Sequence, residues 1–86
     1  MRNEEYYTMA FNSTHAAVAA EKYLGGKMRV EVMPTLRKIT ASCGISLRIE
    51  KENFDELIKY LSENPPVRLS GTLYHVNGTE VSPVIF

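Results

Sequence analysis

Residues 45–62 read ISLRIEKENFDELIKYLS and place a strand pattern directly before a helix pattern. Apolar residues alternate with polar ones from Ile45 to Ile49, which predicts a strand with one face toward a core and the other more polar. The apolar positions that follow recur every three or four residues, which predicts an amphipathic helix over residues 51–62. This strand and helix indicate a domain that mixes both kinds of element.

The same order occurs upstream of this stretch. Residues 6–11 are rich in aromatic and strand-forming residues and predict a first strand. Small and apolar residues then fall at helical spacing over residues 13–24. Polar residues suited to an N-cap precede them, and Gly25-Gly26 is expected to form a left-handed stop after them. Alternation over residues 28–33 predicts a second strand, which Pro34 closes.

Downstream, the residues after position 62 predict a fourth strand and a hairpin. Asn64-Pro65-Pro66 is expected to end the second helix, and alternation from Val67 to Leu73 predicts the strand. Asn77-Gly78 between two short strand-like runs predicts a two-residue hairpin turn. The whole chain therefore predicts one α+β domain over residues 1–86, a ferredoxin-like split βαβ sandwich (βαββαβ) with a C-terminal β-hairpin extension.

Composition narrows the classes of function. Ten basic and ten acidic residues cancel without forming blocks, so binding to nucleic acid or to an anionic membrane is not expected. No apolar run approaches the roughly 20 residues of a membrane span, and no signal peptide is seen, which predicts a cytoplasmic protein. A single cysteine excludes an internal disulfide and a cysteine-rich zinc site. Neither a metal nor a cofactor is predicted.

The single cysteine, Cys43, lies in the loop predicted between the second and third strands, residues 35–44. Loops on a rigid scaffold are common places for function. In the predicted topology this loop reaches the end of the sheet where the first helix begins, close to His15. The helix dipole and cationic neighbours such as Arg37 or Lys38 would favour a thiolate there.

Four segments carry a resemblance to a known family. They are Phe11-Asn12-Ser13-Thr14-His15, Ala20-Glu21-Lys22-Tyr23-Leu24, Pro34, and Ser42-Cys43-Gly44-Ile45-Ser46-Leu47-Arg48. Together the segments resemble the selenium/sulfur carrier-like family of small domains, found alone or fused behind a TusA-like domain, over about residues 6–61. The resemblance implies that Cys43 carries sulfur or selenium as a persulfide or selenopersulfide. It also implies donor and acceptor proteins as partners.

The candidate site combines these arguments. Cys43 is the predicted nucleophile with His15 as its catalytic neighbour, and the predicted substrate-binding residues are Ser42, Gly44, Arg37 and Arg48. The ordinary alternatives are a buried structural cysteine, a solvent-facing histidine, and arginines that are solvated or paired with glutamate. The chain is interpreted as a carrier rather than a true enzyme. The alternative function is a non-catalytic interaction or regulatory module that binds a protein partner or forms a homodimer through the sheet or the hairpin.

Overall fold

The computed structural model describes residues 5–39 and 44–85, which form an antiparallel sheet with helices packed against one face. The strands are β1 (Glu5–Phe11), β2 (Val30–Pro34), β3 (Ile45–Glu50), β4 (Gly71–Asn77) and β5 (Glu80–Pro83). The helices are α1 (Thr14–Gly25), α2 (Phe54–Glu63) and α3 (Pro65–Leu69), and a 3₁₀ turn over Lys51–Asn53 precedes α2.

The five strands lie in the order β2-β3-β1-β4-β5, and every neighbouring pair is antiparallel. Strand β3 is inserted between β1 and β2, which α1 connects, and β1 is inserted between β3 and β4. Met9 in the centre of the sheet is paired with Leu47 on one side and Leu73 on the other. The prediction of a mixed domain with an antiparallel sheet and helices is confirmed.

The core lies between the helices and one face of the sheet. The alternation in β1 puts Met9 and Phe11 on this face, where each is 1% exposed, with Tyr7 packed beside them. Their neighbours are fully or almost fully buried residues of the other elements: Leu47, Ile49, Leu73, Ala17, Ala20, Leu24, Leu57 and Leu61. We call this the helix face of the sheet and the opposite side its open face.

Helix α1 begins as its sequence predicts, but it ends differently. The Ser13 hydroxyl accepts a hydrogen bond from the backbone N–H of Ala16 at 3.1 Å, which satisfies one of the amides left unpaired in a first turn. At the other end, Gly25 is still helical and Gly26 is the C-cap with a φ of −81°, so the predicted left-handed stop at Gly25-Gly26 is wrong. The predicted helix over residues 13–24 is confirmed within one residue at each end.

The predicted fourth strand starts too early. Residues 65–69 form helix α3 instead, and β4 begins only at Gly71. Prolines are favoured in the first turn of a helix, where their missing N–H has no partner to lose, so Pro65-Pro66 starts a helix as well as ending one. The alternation of Val67 and Leu69 fits a strand only by coincidence, because Val67 packs on the core while Leu69 is 76% exposed.

The C-terminal hairpin is present, with its turn one residue later than predicted. Asn77 pairs with Glu80, so the turn residues are Gly78 and Thr79. Gly78 has a φ of 63°, and glycine adopts this conformation without the strain of a side chain. The hairpin adds β5 to the β4 edge of the sheet.

A polar cluster lies at the start of β1. The His75 Nε2 atom is 2.9 Å from one carboxylate oxygen of Glu5, and Lys51 Nζ is 3.3 Å from the other. The His75 ring also lies 5.0 Å from the ring of Tyr7, which stacks on Phe54 at 4.4 Å. The hydrogen bond from His75, followed by that from Lys51, holds the pKa of the Glu5 carboxyl below its usual value.

Replacing the Glu5 carboxylate is expected to change how the free energy of unfolding depends on pH in the acidic range. A pKa lowered by folding means that ionised Glu5 stabilises the fold above its unfolded pKa, and that this contribution is lost as the pH falls through the folded pKa. Glu5→Gln should therefore show a shallower decrease in the free energy of unfolding between about pH 6 and pH 3, measured by urea titration. Glu80→Gln, which removes an exposed carboxylate in β5, is the control. Equal slopes for Glu5→Gln and the wild type would contradict the prediction.

Candidate functional site

The loop between β2 and β3 is fixed at its base. The backbone N–H of Thr35 donates to the carbonyl oxygen of Gly44 at 2.9 Å, which closes the loop where the two strands separate. The hydroxyl of Thr35 is 2.8 Å from that of Ser46, whose side chain is fully buried. Ser42 and Cys43 lie outside the described residues. Two hydrogen bonds thus hold the described ends of the loop: one joins the ends to each other, and one joins Thr35 to β3.

The first half of the loop lies over the open face of the sheet. Ile39 is 6% exposed, and its backbone N–H donates to the carbonyl oxygen of Leu36 at 3.0 Å. The ammonium group of Lys38 donates to the backbone carbonyl oxygen of Thr79, in the turn between β4 and β5. The loop that leads to the cysteine is therefore attached to the C-terminal hairpin.

Arg48 is buried on the open face, which the sequence predicted to be the more polar side of β3. Its guanidinium carbon lies 3.8 Å from the centre of the Tyr6 ring, and its Nε is 3.2 Å from a carboxylate oxygen of Glu50. Only 8% of Arg48 is exposed, and Ser46 on the same face is fully buried. A buried guanidinium that contacts both a ring and a carboxylate is held rigidly, so Arg48 serves first to build this face.

Arg37 comes to the same region of the open face. It lines a cavity together with Tyr6, the residue on which Arg48 stacks. Of the predicted binding residues, Arg48 thus stacks on Tyr6, and Arg37 lines a cavity that Tyr6 also lines. The sequence predicted Tyr6 only as part of the first strand, and no local pattern in the chain indicates its contact with Arg48.

His15 and Gly44 occupy different surroundings. His15 is exposed in the first turn of α1, which packs on the helix face, whereas Arg37 and Arg48 belong to the open face. Gly44 is exposed at the end of the loop, and a Cβ atom built on it would have no heavy atom within 4 Å. Among the described residues, none would obstruct a methyl group at position 44.

Polar contacts connect the turns at the end of the sheet where β1 finishes. The backbone N–H of Asn12, directly after β1, donates to the carbonyl oxygen of Ser70, directly before β4, at 3.1 Å. Ala10 is paired with Ser46, so the start of β3 reaches the same end. The prediction that the first strand-helix turn and the loop after β2 share one end of the sheet agrees with this pairing.

Across residues 5–39 and 44–85, no group of three or more histidine, cysteine, aspartate or glutamate side chains is arranged to bind a metal ion. Within the same residues, no helix combines the length and the apolar character needed to cross a lipid bilayer.

Comparison with known proteins identifies a family that matches most of the chain. A family described as "Putative Se/S carrier protein-like" matches residues 6–72, which covers β1 through the start of β4 and confirms the resemblance drawn from the sequence. No curated protein and no solved structure gives a significant match. The hairpin after residue 72 lies outside the matched region.

Proposed function

The chain belongs to the Se/S carrier protein-like family, and from this membership we propose that it carries a sulfur or selenium atom on Cys43. The observation that supports the proposal most directly is that the matched region contains the only cysteine of the chain. Any thiol exchange on this protein must therefore use position 43. Because one thiol is enough to accept and release a sulfur atom, no second cysteine is needed.

The proposed loading step is an exchange between a thiolate and a persulfide. The Cys43 thiolate attacks the terminal sulfur of a donor persulfide, forming a new S–S bond at Sγ. The S–S bond of the donor breaks, and its electron pair leaves with the donor thiolate, so no net oxidation occurs. Delivery is the same exchange with an acceptor thiolate. Donor and acceptor proteins are thus the proposed partners, and the reducing cytoplasm is the proposed compartment.

The described parts of the loop support this function. Its base is held by the Thr35–Gly44 hydrogen bond and by the contact between Thr35 and Ser46, so the loop extends from a rigid edge. Arg37 lies on the described arm of the same loop and is exposed. We include Arg37 in the proposed site as a cation for an anionic sulfur or selenium species, together with Ser42, Gly44, Arg48 and the exposed His15.

The proposal extends to the fold. We propose that β1 through β4 with α1 and α2 form a ferredoxin-like split βαβ unit, to which α3 and β5 are added. The support is that β3 separates β1 from β2 and that β1 separates β3 from β4. In such a unit both crossover helices cover one face, and the other face is left for additional segments.

Intact-protein mass spectrometry tests the carrier function. Reduced protein is incubated with a cysteine desulfurase and cysteine, and separately with selenide and an oxidant. We expect the wild type to gain the mass of one sulfur or one selenium atom, and Cys43→Ser to gain nothing while unfolding at a similar temperature. Because hydroxyl and thiol differ little in size, a large loss of stability in this variant would instead indicate a structural cysteine. An unmodified wild type beside a loaded control thiol protein would overturn the proposal.

A second candidate function is a protein-binding module, and one surface favours it. A cavity of about 430 Å³ lies between α3 and the end of the chain, and its lining includes Leu69 and Ile85. These side chains are 76% and 95% exposed, which is unusual for large apolar residues that lie together. A wild type that accepts no sulfur and sediments as a dimer would support this function instead.

A further inference from the structure

A smaller cavity lies on the open face, between the loop after β2 and the C-terminal hairpin. Its volume is about 230 Å³, and its floor is formed by Tyr6 of β1, Val76 of β4 and Val81 of β5. These three residues share the open face because Tyr6 pairs with Val76 and Val76 pairs with Val81. The floor is therefore an aromatic ring beside two branched aliphatic side chains.

The walls of the cavity come from two segments that are far apart in sequence. Leu36, Arg37 and Lys38 form one wall, and the turn residues Gly78 and Thr79 form the other. The hydrogen bond from the Lys38 ammonium to the Thr79 carbonyl joins the walls. Since Val76, Gly78, Thr79 and Val81 follow residue 72, this cavity depends on the hairpin outside the family match.

The charges around the cavity favour an anion. Among the described residues that line it there are two cations, Arg37 and Lys38, and no aspartate or glutamate. Glu50 lies beside Tyr6 in the sheet, but its carboxylate is engaged by the Arg48 guanidinium at 3.2 Å. The apolar floor lowers the local dielectric and strengthens the attraction between the two cations and a negative group.

We propose that this cavity binds a small organic anion, with an aliphatic body on the floor of Tyr6, Val76 and Val81 and a carboxylate-like head at Arg37. The volume of about 230 Å³ equals that of roughly eight water molecules at about 30 Å³ each. It is smaller than the roughly 300–1,000 Å³ of pockets for drug-sized ligands, so a short branched chain fits better than a nucleotide or a long acyl chain. The site does not depend on thiol chemistry.

Amide chemical shifts in an NMR titration test the site with isovalerate as the probe. We expect saturable shifts at Leu36, Lys38, Gly78 and Thr79, with a Kd on the order of 1 mM for a ligand of this size. Isovaleramide has the same body without the charge and should bind at least about tenfold more weakly. Equal shifts with the acid and the amide, or no saturable shift with either, would overturn the proposal.

Two arginine variants distinguish binding at this cavity from a nonspecific effect of the net charge on isovalerate binding. Arg37→Gln is expected to raise the Kd for isovalerate about tenfold, because it removes the cation at the head group. Arg29→Gln removes an equally charged and exposed side chain, which pairs with Glu31 at 3.1 Å, and should leave the Kd unchanged. Equal weakening by both variants would show that only net charge matters and would contradict the site. The titration is repeated with Cys43→Ser, so its result is independent of sulfur loading.

Discussion

Gly71→Ala is expected to destabilise the domain by roughly 3 kcal/mol, because no space exists for a methyl group at the start of β4. Gly71 is paired with Phe11, and a Cβ built on it would collide with the carbonyl oxygen of Ala10. It would also lie 2.9 Å from Cδ1 of Phe11, which is 1% exposed. Ala10 pairs with Thr72 on one side and Ser46 on the other, so this backbone cannot shift without disturbing both ladders.

Thermal and urea denaturation measure this effect. A loss of this size corresponds to a decrease in Tm of roughly 15 °C for a domain of this length. Gly44→Ala is the matched control, since its Cβ would have no heavy atom of the described residues within 4 Å and its φ is not positive. It should change the free energy of unfolding by less than about 1 kcal/mol, and could increase it by reducing the freedom of the unfolded chain. Similar stabilities for the two variants would show that β4 can move away from β1.

The elements that sequence predicts well are those whose signals are local. In β1 the alternation places Tyr7, Met9 and Phe11 on the core, and in α1 the cap at Ser13 is made by the neighbouring Ala16. In the hairpin a glycine provides the positive φ. Each of these choices depends on residues within a few positions of one another, which is the range over which periodicity and capping operate.

The strand predicted from Val67 shows where local reasoning fails. The alternation typical of a strand continues through Leu69, Gly71 and Leu73. The sequence pattern therefore shows no boundary between the part that is a strand and the part that is not. The structure divides the run at Ser70, whose hydroxyl and backbone N–H both donate to the carbonyl oxygen of Val67. A short helix that starts at two prolines competes here with a strand, and contacts with the core decide between them.

The candidate site could be predicted only in part from the sequence, because the contacts that build it join residues far apart in the chain. Arg37 was predicted as a binding residue from its position in the loop, and Arg48 from the family resemblance. In the structure Arg48 stacks on Tyr6, and Arg37 lines a cavity that Tyr6 also lines. The contact between Lys38 and Thr79 joins residues 41 positions apart, so no local pattern encodes it. The available signal was weak: Leu36 and Ile39 are apolar residues within an otherwise polar loop, which suggests that this loop covers a surface.

Ile39→Ala is expected to release the loop from the open face. Ile39 is 6% exposed, and truncating a buried isoleucine costs roughly 2 kcal/mol at the low end of such substitutions. When this loss of stability weakens the contact between the loop and the sheet, the state in which the loop is detached from the open face becomes about thirtyfold more populated. Hydrogen exchange measures the change at the amide of position 39, which donates to Leu36 in the closed loop.

The control for this variant is Val32→Ala, which removes aliphatic carbons from a side chain that is 54% exposed in the edge strand β2. It should leave exchange in the loop within about twofold of the wild type. Unchanged exchange at position 39 in Ile39→Ala would mean that the loop is held by its polar contacts alone. Since Leu36, Arg37 and Lys38 form one wall of the open-face cavity, a released loop should also weaken isovalerate binding. The two measurements must therefore change together if the loop and the hairpin form one binding site.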